Sequence, residues 1–248
     1  IVPLLISSAT GALTSYFFLG QNVLYSFPIS EPFKLNQVGW YLIFAVFTGF
    51  TGVYFTKVYN FVTETFEKIP NSLVRLTVGG TILGILIFFV PSLYGEGYEV
   101  INTSLRGHFE FLFENTFYMD LKGNLFVTML MFLVLLLLKV IATSVTFGSG
   151  GVGGVFAPTL FSGAIAGLFF SQMLHLLGVE MSSANFALAG MAGMISSVIH
   201  APLTAIFLIA EITGGHRLFM PLMIVATISY ATTRIFVSNS VYTIQLAK

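Results

Sequence analysis

The segment GSGGVGGVFAP, residues 148–158, decides how this chain must fold. Five of its first seven residues are glycine, and it lies between two segments that are apolar enough to be buried in lipid. Lipid offers no hydrogen-bond partner to a backbone N–H, so non-helical backbone at membrane depth is tolerated only inside protein or along a water-filled cavity. The segment therefore predicts a break between two membrane helices, at a place where the backbone has a partner other than lipid.

The composition is that of an integral membrane protein. Of the 248 residues, 56% are hydrophobic and 8% are charged, and the mean hydropathy is +0.93, whereas soluble domains carry about 25% charged residues. The formal net charge is zero, which gives no indication of a nucleic-acid partner. The chain has no cysteine, which excludes disulfides, thiolate catalysis and cysteine metal sites in it and leaves the redox compartment open.

Apolar segments divide the chain into membrane helices, since about 20 such residues are enough to cross a bilayer. Short hydrophobic segments interrupted by glycine or proline are typical of broken helices that meet at a site near the bilayer midplane. We predict membrane segments at 1–20, 39–62, 73–90, 125–147, 157–177 and 219–236, with two shorter helices at 183–199 and 202–212.

Small residues predict close helix contacts at three places. The pairs Gly80-x-x-x-Gly84 and Gly163-x-x-x-Gly167 have the spacing that lets neighbouring helices approach. The first segment has a small-residue face that would suit close contact with another helix. This face consists of Ser7, Ser8, Gly11 and Ala12.

Loops and helix ends are marked by polar residues, glycine and proline. Residues 92–122 are the most polar region and predict an interfacial loop with one short helix around HFEFLFEN, residues 108–115. Pro202 suits the first turn of a helix, and Gly214-Gly215 predicts a helix end. Because 57–75 carries three basic residues and the preceding loop only Lys34, the positive-inside tendency places 57–75 in the cytoplasm.

The glycine segment has three other interpretations, of which two are functional and one is purely structural. GSGGVG formally matches a dinucleotide-binding fingerprint, but a membrane-length helix precedes it and no acidic residue follows until Glu180. An intramembrane serine protease with Ser149 as nucleophile and His200 as base stays an alternative, although Phe147 stands where its first glycine is expected. The third alternative is that 148–154 is only a helix-breaking turn.

The remaining polar side chains predict neither a metal site nor a catalytic residue. The histidines are scattered, without a metal partner at ligand spacing, and we interpret them as interface or helix-capping residues; they are His108, His175, His200 and His216. Glu211 is a functional candidate, as any intramembrane carboxylate is. It also lies in the last turns of its helix, and we favour the interpretation that it reaches the interface.

The glycine segment has the properties of an anion site. It leads into a helix N-terminus, where several backbone N–H groups and the partial positive charge of the helix dipole favour an anion. No lysine or arginine occurs from 140 to 216. Hydrogen bonds to an ion, about 1.5–3 kcal/mol each, hold it less tightly than a full positive charge, and conduction requires that the ion can leave.

GSGGVGGVFAP resembles the G-x-F-x-P region of the CLC family of chloride channels and chloride/proton exchangers. Residues 189–227, AGMAGMISSVIHAPLTAIFLIAEITGGHRLFMPLMIVAT, look like that family's next segment. GEGYEVI (95–101) resembles its Gly-x-Gly-Tyr/Phe loop, and SVYTIQLAK (240–248) its short final helix with a pore tyrosine. The matches fall in order and cover most of 90–248, while 1–90 is weaker but compatible.

The resemblance implies an all-α integral membrane fold of broken and tilted helices, built in this family from two inverted halves. Residues 1–248 then correspond to the C-terminal half of the membrane domain, as a fragment of a longer chain. The family's Gly-Ser-Gly-Ile-Pro motif, with an anion-binding serine, and Gly-Arg-Glu-Gly-Pro motif, with a gate glutamate, have no match and are expected upstream of Ile1. The glutamate that marks exchangers also falls upstream, so channel and exchanger both stay open.

For the site, the resemblance assigns Gly154, Val155 and Phe156 to the motif whose backbone amides contact the central anion. Tyr242 matches the tyrosine whose hydroxyl points at the same ion. The implied substrate is chloride or a similar small anion, with no cofactor and no enzymatic activity. The implied partners are the upstream half, the bilayer and a second copy in a homodimer, in the plasma (inner) membrane of a prokaryote. The alternative is a non-transporting CLC-like fragment or assembly partner.

Overall fold

The computed structural model of the chain describes residues 2–20, 33–114, 116, 119–121, 123–212 and 218–246. Within these residues the protein consists of helices and turns without a strand, which confirms the predicted all-α fold. The α-helices are α1 (Val2–Leu19), α2 (Val38–Glu67), α3 (Ser72–Phe89), α4 (Tyr98–Leu105), α5 (Leu125–Gly148), α6 (Phe156–Leu176), α7 (Ser183–Ile199), α8 (Pro202–Ile212), α9 (Phe219–Phe236) and α10 (Val241–Leu246).

Membrane crossing is supported by the length and hydropathy of the helices. Among the described residues, five helical segments are long and apolar enough to span a bilayer: Leu35–Glu67, Ser72–Phe89, Leu125–Gly148, Phe156–Leu176 and Phe219–Thr243. The two helices predicted to be short are short, with 17 residues in α7 and 11 in α8. The predicted stop at Gly214-Gly215 lies outside the described residues.

Polar side chains explain where several helices begin. Oδ1 of Asn71 accepts a hydrogen bond from the N–H of Leu73 at 3.0 Å. Asn124 caps α5 in the same way, accepting from Phe126 at 3.0 Å. Each of these bonds satisfies one of the N–H groups that the first turn of a helix leaves without an intrahelical acceptor. Pro202 occupies the first position of α8, as predicted.

The centre of the molecule is the contact between α6 and α7, and glycine makes it possible. A Cβ on Gly163 would overlap the carbonyl oxygen of Gly190, and a Cβ on Gly167 would overlap that of Phe186. Lipid tails are as apolar as leucine, so close backbone approach, and not hydrophobicity, favours such pairing. The prediction for Gly163-x-x-x-Gly167 is confirmed.

The other glycine pair does not serve helix packing in this structure. Nothing in the described chain lies within 4 Å of a Cβ built on Gly80 or Gly84. Both residues belong to α3, whose membrane-length window is only 6% buried. The prediction of a close contact at this pair is therefore wrong for this chain taken alone.

Hydroxyl groups connect α2, α7 and α9 across their interfaces. Oγ of Ser229 donates to the carbonyl oxygen of Ala45 at 2.8 Å, and Oγ1 of Thr233 donates to that of Gly49 at 2.9 Å. Oγ of Ser196 on α7 donates to Ala226 of α9 at 2.6 Å. All three donors are fully buried, so their hydroxyls are satisfied without water.

One predicted boundary is wrong, and the polar region contains an α-helix that was not predicted. The second span was expected to end at 62, but α2 continues to Glu67, because polar residues at the membrane surface do not stop a helix and the first proline comes at Pro70. The short helix expected around HFEFLFEN is present as a 3-10 helix, Phe109–Phe113. The α-helix of this region is α4, which starts after Gly97 with φ +85°.

We predict that Gly163→Ala destabilises the protein, because the added Cβ meets the backbone of α7, which cannot rotate away as a side chain would. The expected loss is about 1–3 kcal/mol, the usual range for overpacking a core, measured as a lower thermal unfolding midpoint in detergent. Gly84→Ala is the control, since its Cβ would meet open space. Equal midpoints for the two variants would contradict the role assigned to the α6–α7 contact.

Candidate functional site

The glycine segment forms an open turn between α5 and α6. At its start the N–H groups of Gly150 and Gly151 donate to the carbonyl oxygens of Phe147 and Thr146, which ends α5. Gly150 has φ +99°, a conformation that favours glycine. Residues 150–154 are exposed in this chain, and Val152 is fully so. The backbone of the turn is therefore accessible to a ligand or to a partner.

The N-terminus of α6 supplies unpaired donors at the end of this turn. Val155 is the N-cap residue of α6, and no side chain caps the helix there. The carbonyl oxygen of Val155 accepts a hydrogen bond from the N–H of Thr159 at 3.1 Å. Within the described chain, the N–H groups of Gly154, Val155 and Phe156 have no acceptor. Several free donors at the positive end of a helix favour an anion.

Tyr242 lies on α10, which contacts α7. Val241, next to it, is fully buried in a cluster of apolar side chains that also contains Val155. The buried members of the cluster are Phe55, Tyr59, Val140, Val155, Met194, Val198 and Val241. Tyr242 itself is 42% exposed. Val155 and Val241, which come from the two segments that contain the sequence-predicted site residues, thus belong to one apolar cluster.

Ser149 and His200 are not arranged as a nucleophile and its base. Oγ of Ser149 donates to the carbonyl oxygen of Thr146 at 3.0 Å. His200 lies at the junction of α7 and α8 with φ +63°, and its ring meets that of Tyr230 edge-on, with centroids 5.5 Å apart. Their described contacts are with other residues, and nothing in this geometry supports the protease alternative.

The remaining candidate polar residues have ordinary environments. Glu211 is exposed on α8, in agreement with the interpretation that it reaches the interface. Nε2 of His175 lies 3.1 Å from the carbonyl oxygen of Met181, across the turn after α6. No group of three metal-ligating side chains occurs among the residues that the structure describes. His216 lies outside that part of the chain.

Lys139 is a structural cation whose partners sequence reasoning missed. It is only 3% exposed, and its Nζ donates to the carbonyl oxygens of Leu93 at 3.0 Å and Gly95 at 2.7 Å. Nζ also lies 4.7 Å from the centroid of the Phe161 ring, against which Gly97 packs so closely that a Cβ would overlap it. Lys139 therefore holds the GEGY loop against α5 and α6. The only sequence feature that could have indicated this role is that Lys139 is the single charged residue in the apolar segment 125–147.

The family follows from comparison with known sequences. The sequence model of the family described as voltage gated chloride channel matches residues 1–234. This match covers nearly the whole chain, and the chain belongs to that family. The resemblance found in the motifs is thereby confirmed.

Some similar proteins are named as chloride channels and others as proton/chloride exchangers. A putative chloride channel protein ClcB-like of Ralstonia nicotianae is 32% identical over 250 residues, which cover 99% of this chain and 54% of that protein. An H(+)/Cl(-) exchange transporter ClcA of Vibrio vulnificus is 29% identical over 212 residues, which cover 83% of this chain and 42% of that protein. The chain spans about half the length of the curated relatives that it matches.

Solved structures confirm the fold. A CLC-type fluoride/proton antiporter superposes with a TM-score of 0.73 at 21% identity, covering 97% of this chain and 54% of that one. A slow cyanobacterial Cl-/H+ antiporter superposes with a TM-score of 0.67 at 21% identity, covering 92% and 50%. The likeness shows that the helices of this chain have the arrangement found in half of a CLC-type membrane protein.

We predict that Lys139→Met lowers stability, because it leaves the carbonyl oxygens of Leu93 and Gly95 without their donor. Hydrogen bonds to a charged group contribute about 1.5–3 kcal/mol, and a loss of that size is expected in thermal unfolding of the full-length protein. Lys139→Arg keeps the donors and is the control. A methionine variant as stable as the unmodified protein would show that Lys139 does not hold the loop.

Proposed function

We propose that the protein moves chloride or a similar small anion across a membrane, as a channel or as a chloride/proton exchanger of the CLC type. The observation that supports this most is the set of unpaired backbone N–H groups at Gly154, Val155 and Phe156, at the start of α6. Tyr242 is proposed to add a hydroxyl donor from α10. These four residues form this chain's share of the anion site.

Neutral donors suit transport because they bind an ion weakly. Taking an ion out of water costs several kcal/mol even in a relaxed protein interior, and each hydrogen bond to it returns about 1.5–3 kcal/mol. A few such bonds are enough to admit the ion without trapping it. No lysine or arginine occurs in 140–216, the part of the chain that contains the turn and α6.

The donors of this chain surround only part of an ion. The turn at 150–154 is exposed, and the chain spans about half of its curated relatives. We therefore propose that residues 1–248 are the C-terminal half of the membrane domain and that the upstream half completes the site with its serine and gate-glutamate motifs. Without them the desolvation of an anion would not be offset.

We further propose that the protein is a homodimer in which α1 contributes to the interface. α1 is exposed on all described sides, and nothing lies within 4 Å of a Cβ on Gly11. One side of α1 forms a shallow groove, lined by Ser7, Thr10, Gly11, Thr14, Ser15 and Phe18. Small residues on one face favour close approach of a second helix in lipid.

Transport is tested with the full-length protein in liposomes, by chloride efflux measured with and without a proton gradient. Coupled proton movement would identify an exchanger, and uncoupled chloride flux a channel. A correctly folded protein that moves no anion would overturn the proposal and favour a non-transporting assembly partner.

The proposed ligand role of Tyr242 has its own test. Tyr242→Phe removes one donor to the ion and is expected to weaken halide binding by about 1.5–3 kcal/mol at most, measured by calorimetric titration with bromide. Tyr94→Phe is the matched control, because Tyr94 is 75% exposed and lies before α4. Unchanged bromide affinity in Tyr242→Phe would remove Tyr242 from the site.

The assembly proposal predicts that Gly11→Trp produces monomers, because a bulky side chain on the small-residue face keeps a second helix away. Leu13→Trp is the control on the same helix, since Leu13 is already large and 69% exposed and does not line the groove. Light scattering in detergent distinguishes the two oligomeric states. A Gly11→Trp protein that stays dimeric would show that α1 is not part of the interface.

A further inference from the structure

The first turns of α3 lie against the end of α5, immediately before the glycine turn. A Cβ on Gly79 would overlap Cβ of Ser149, so the two helices approach as closely as glycine permits. Gly148, one residue before Ser149, packs on Phe66. A Cβ built on Gly148 would lie 2.9 Å from Cγ of the Phe66 ring. The contact fixes α3 relative to the start of the turn.

This contact places Arg75, one helical turn before Gly79, beside Gly150. Nη2 of Arg75 lies 3.8 Å from the position of a Cβ built on Gly150. Nε of Arg75 is buried and has no hydrogen-bond partner within the described residues. Since a buried donor without an acceptor is unfavourable, an acceptor or an anion near this guanidinium would stabilise it.

Arg75 brings to the turn a charge that the turn's own sequence lacks. Residues 140–216 contain no lysine or arginine, and residues 150–154 are exposed in this chain. A guanidinium stays charged at any pH relevant to the protein. The start of the turn therefore has a cationic side chain beside it, while the donors at α6 are neutral.

We propose that Arg75 attracts anions to the glycine turn and sets the rate at which they reach the site at α6. The inference rests on the proposed transport function. Arg75 faces Gly150, at the opposite end of the turn from Val155 and Phe156, so it acts on the approach of the ion and is not one of its ligands. A fixed charge near an entrance raises local ion concentration and association rate, whereas the same charge at the binding position would hold the ion.

The test uses chloride flux through the full-length protein in liposomes, with Arg75→Gln as the variant and Arg75→Lys as the variant that retains the charge. Lys68→Gln is the matched control, because Lys68 is an exposed cation at the end of α2, seven residues before Arg75 in the chain. Chloride is varied at a constant total ionic strength of about 10 mM and again of about 1 M, where the Debye length falls from about 30 Å to about 3 Å. Thermal unfolding confirms that each variant is folded.

At low ionic strength, Arg75→Gln is expected to raise the chloride concentration for half-maximal flux by about threefold to tenfold and to leave the maximal flux unchanged. At high ionic strength the difference should shrink to less than about twofold, because salt screens the charge. Arg75→Lys should restore most of the flux, and Lys68→Gln should have no effect.

Three outcomes would overturn the inference while the unmodified protein still transports. They are an unchanged half-maximal concentration in Arg75→Gln, a defect of equal size at both ionic strengths, and an equal defect in Lys68→Gln. The second would show that Arg75 has a packing or pairing role, for instance with a carboxylate of the upstream half. Absence of flux in the unmodified protein would instead overturn the proposed function, and this inference with it.

Discussion

A bilayer has no water to satisfy a backbone N–H or C=O group, and the structure is organised by this constraint. Helices satisfy most of these groups internally, and hydroxyls such as Ser229 and Thr233 donate to carbonyl oxygens of α2 instead of to solvent. Lys139 does the same for a loop, since its charge is buried against two backbone carbonyls. The N–H groups of Gly154, Val155 and Phe156 have no acceptor within the described chain, and they are the donors on which the proposed anion site depends.

The position of those donors depends on packing that hydrophobicity alone would not produce. Gly163 and Gly167 let α6 lie directly on the backbone of α7, which fixes the helix whose first residue is Phe156. Val155 and Val241 belong to one buried cluster, and α10 contacts α7. The closely packed α6–α7 pair thus supports the end of an exposed glycine turn.

Sequence patterns predicted most helices because their causes are local: apolar runs of membrane length, and Pro202 at a first turn. The caps Asn71 and Asn124 are local as well, although the sequence analysis did not use them. The errors arose where local signals were weak. The start of α4 depends on Gly97 fitting against Phe161 of a distant helix, and the carbonyl partners of Lys139 lie 44 and 46 residues before it. The approach of Arg75 to Gly150 also depends on a contact between distant parts of the chain, that of Gly79 with Ser149. No periodicity along the chain encodes such tertiary proximity.

The short helices have a consequence for how the protein is made. At about 1.5 Å per residue, α7 with 17 residues and α8 with 11 residues fall short of the roughly 30 Å hydrocarbon core. Neither is suited to leave the ribosome and enter the membrane as an independent span. Both helices are therefore expected to depend on flanking helices for their place in the membrane, and α6 provides the glycine surface against which α7 packs. Stable integration of α7 and α8 is thus expected to follow that of α6.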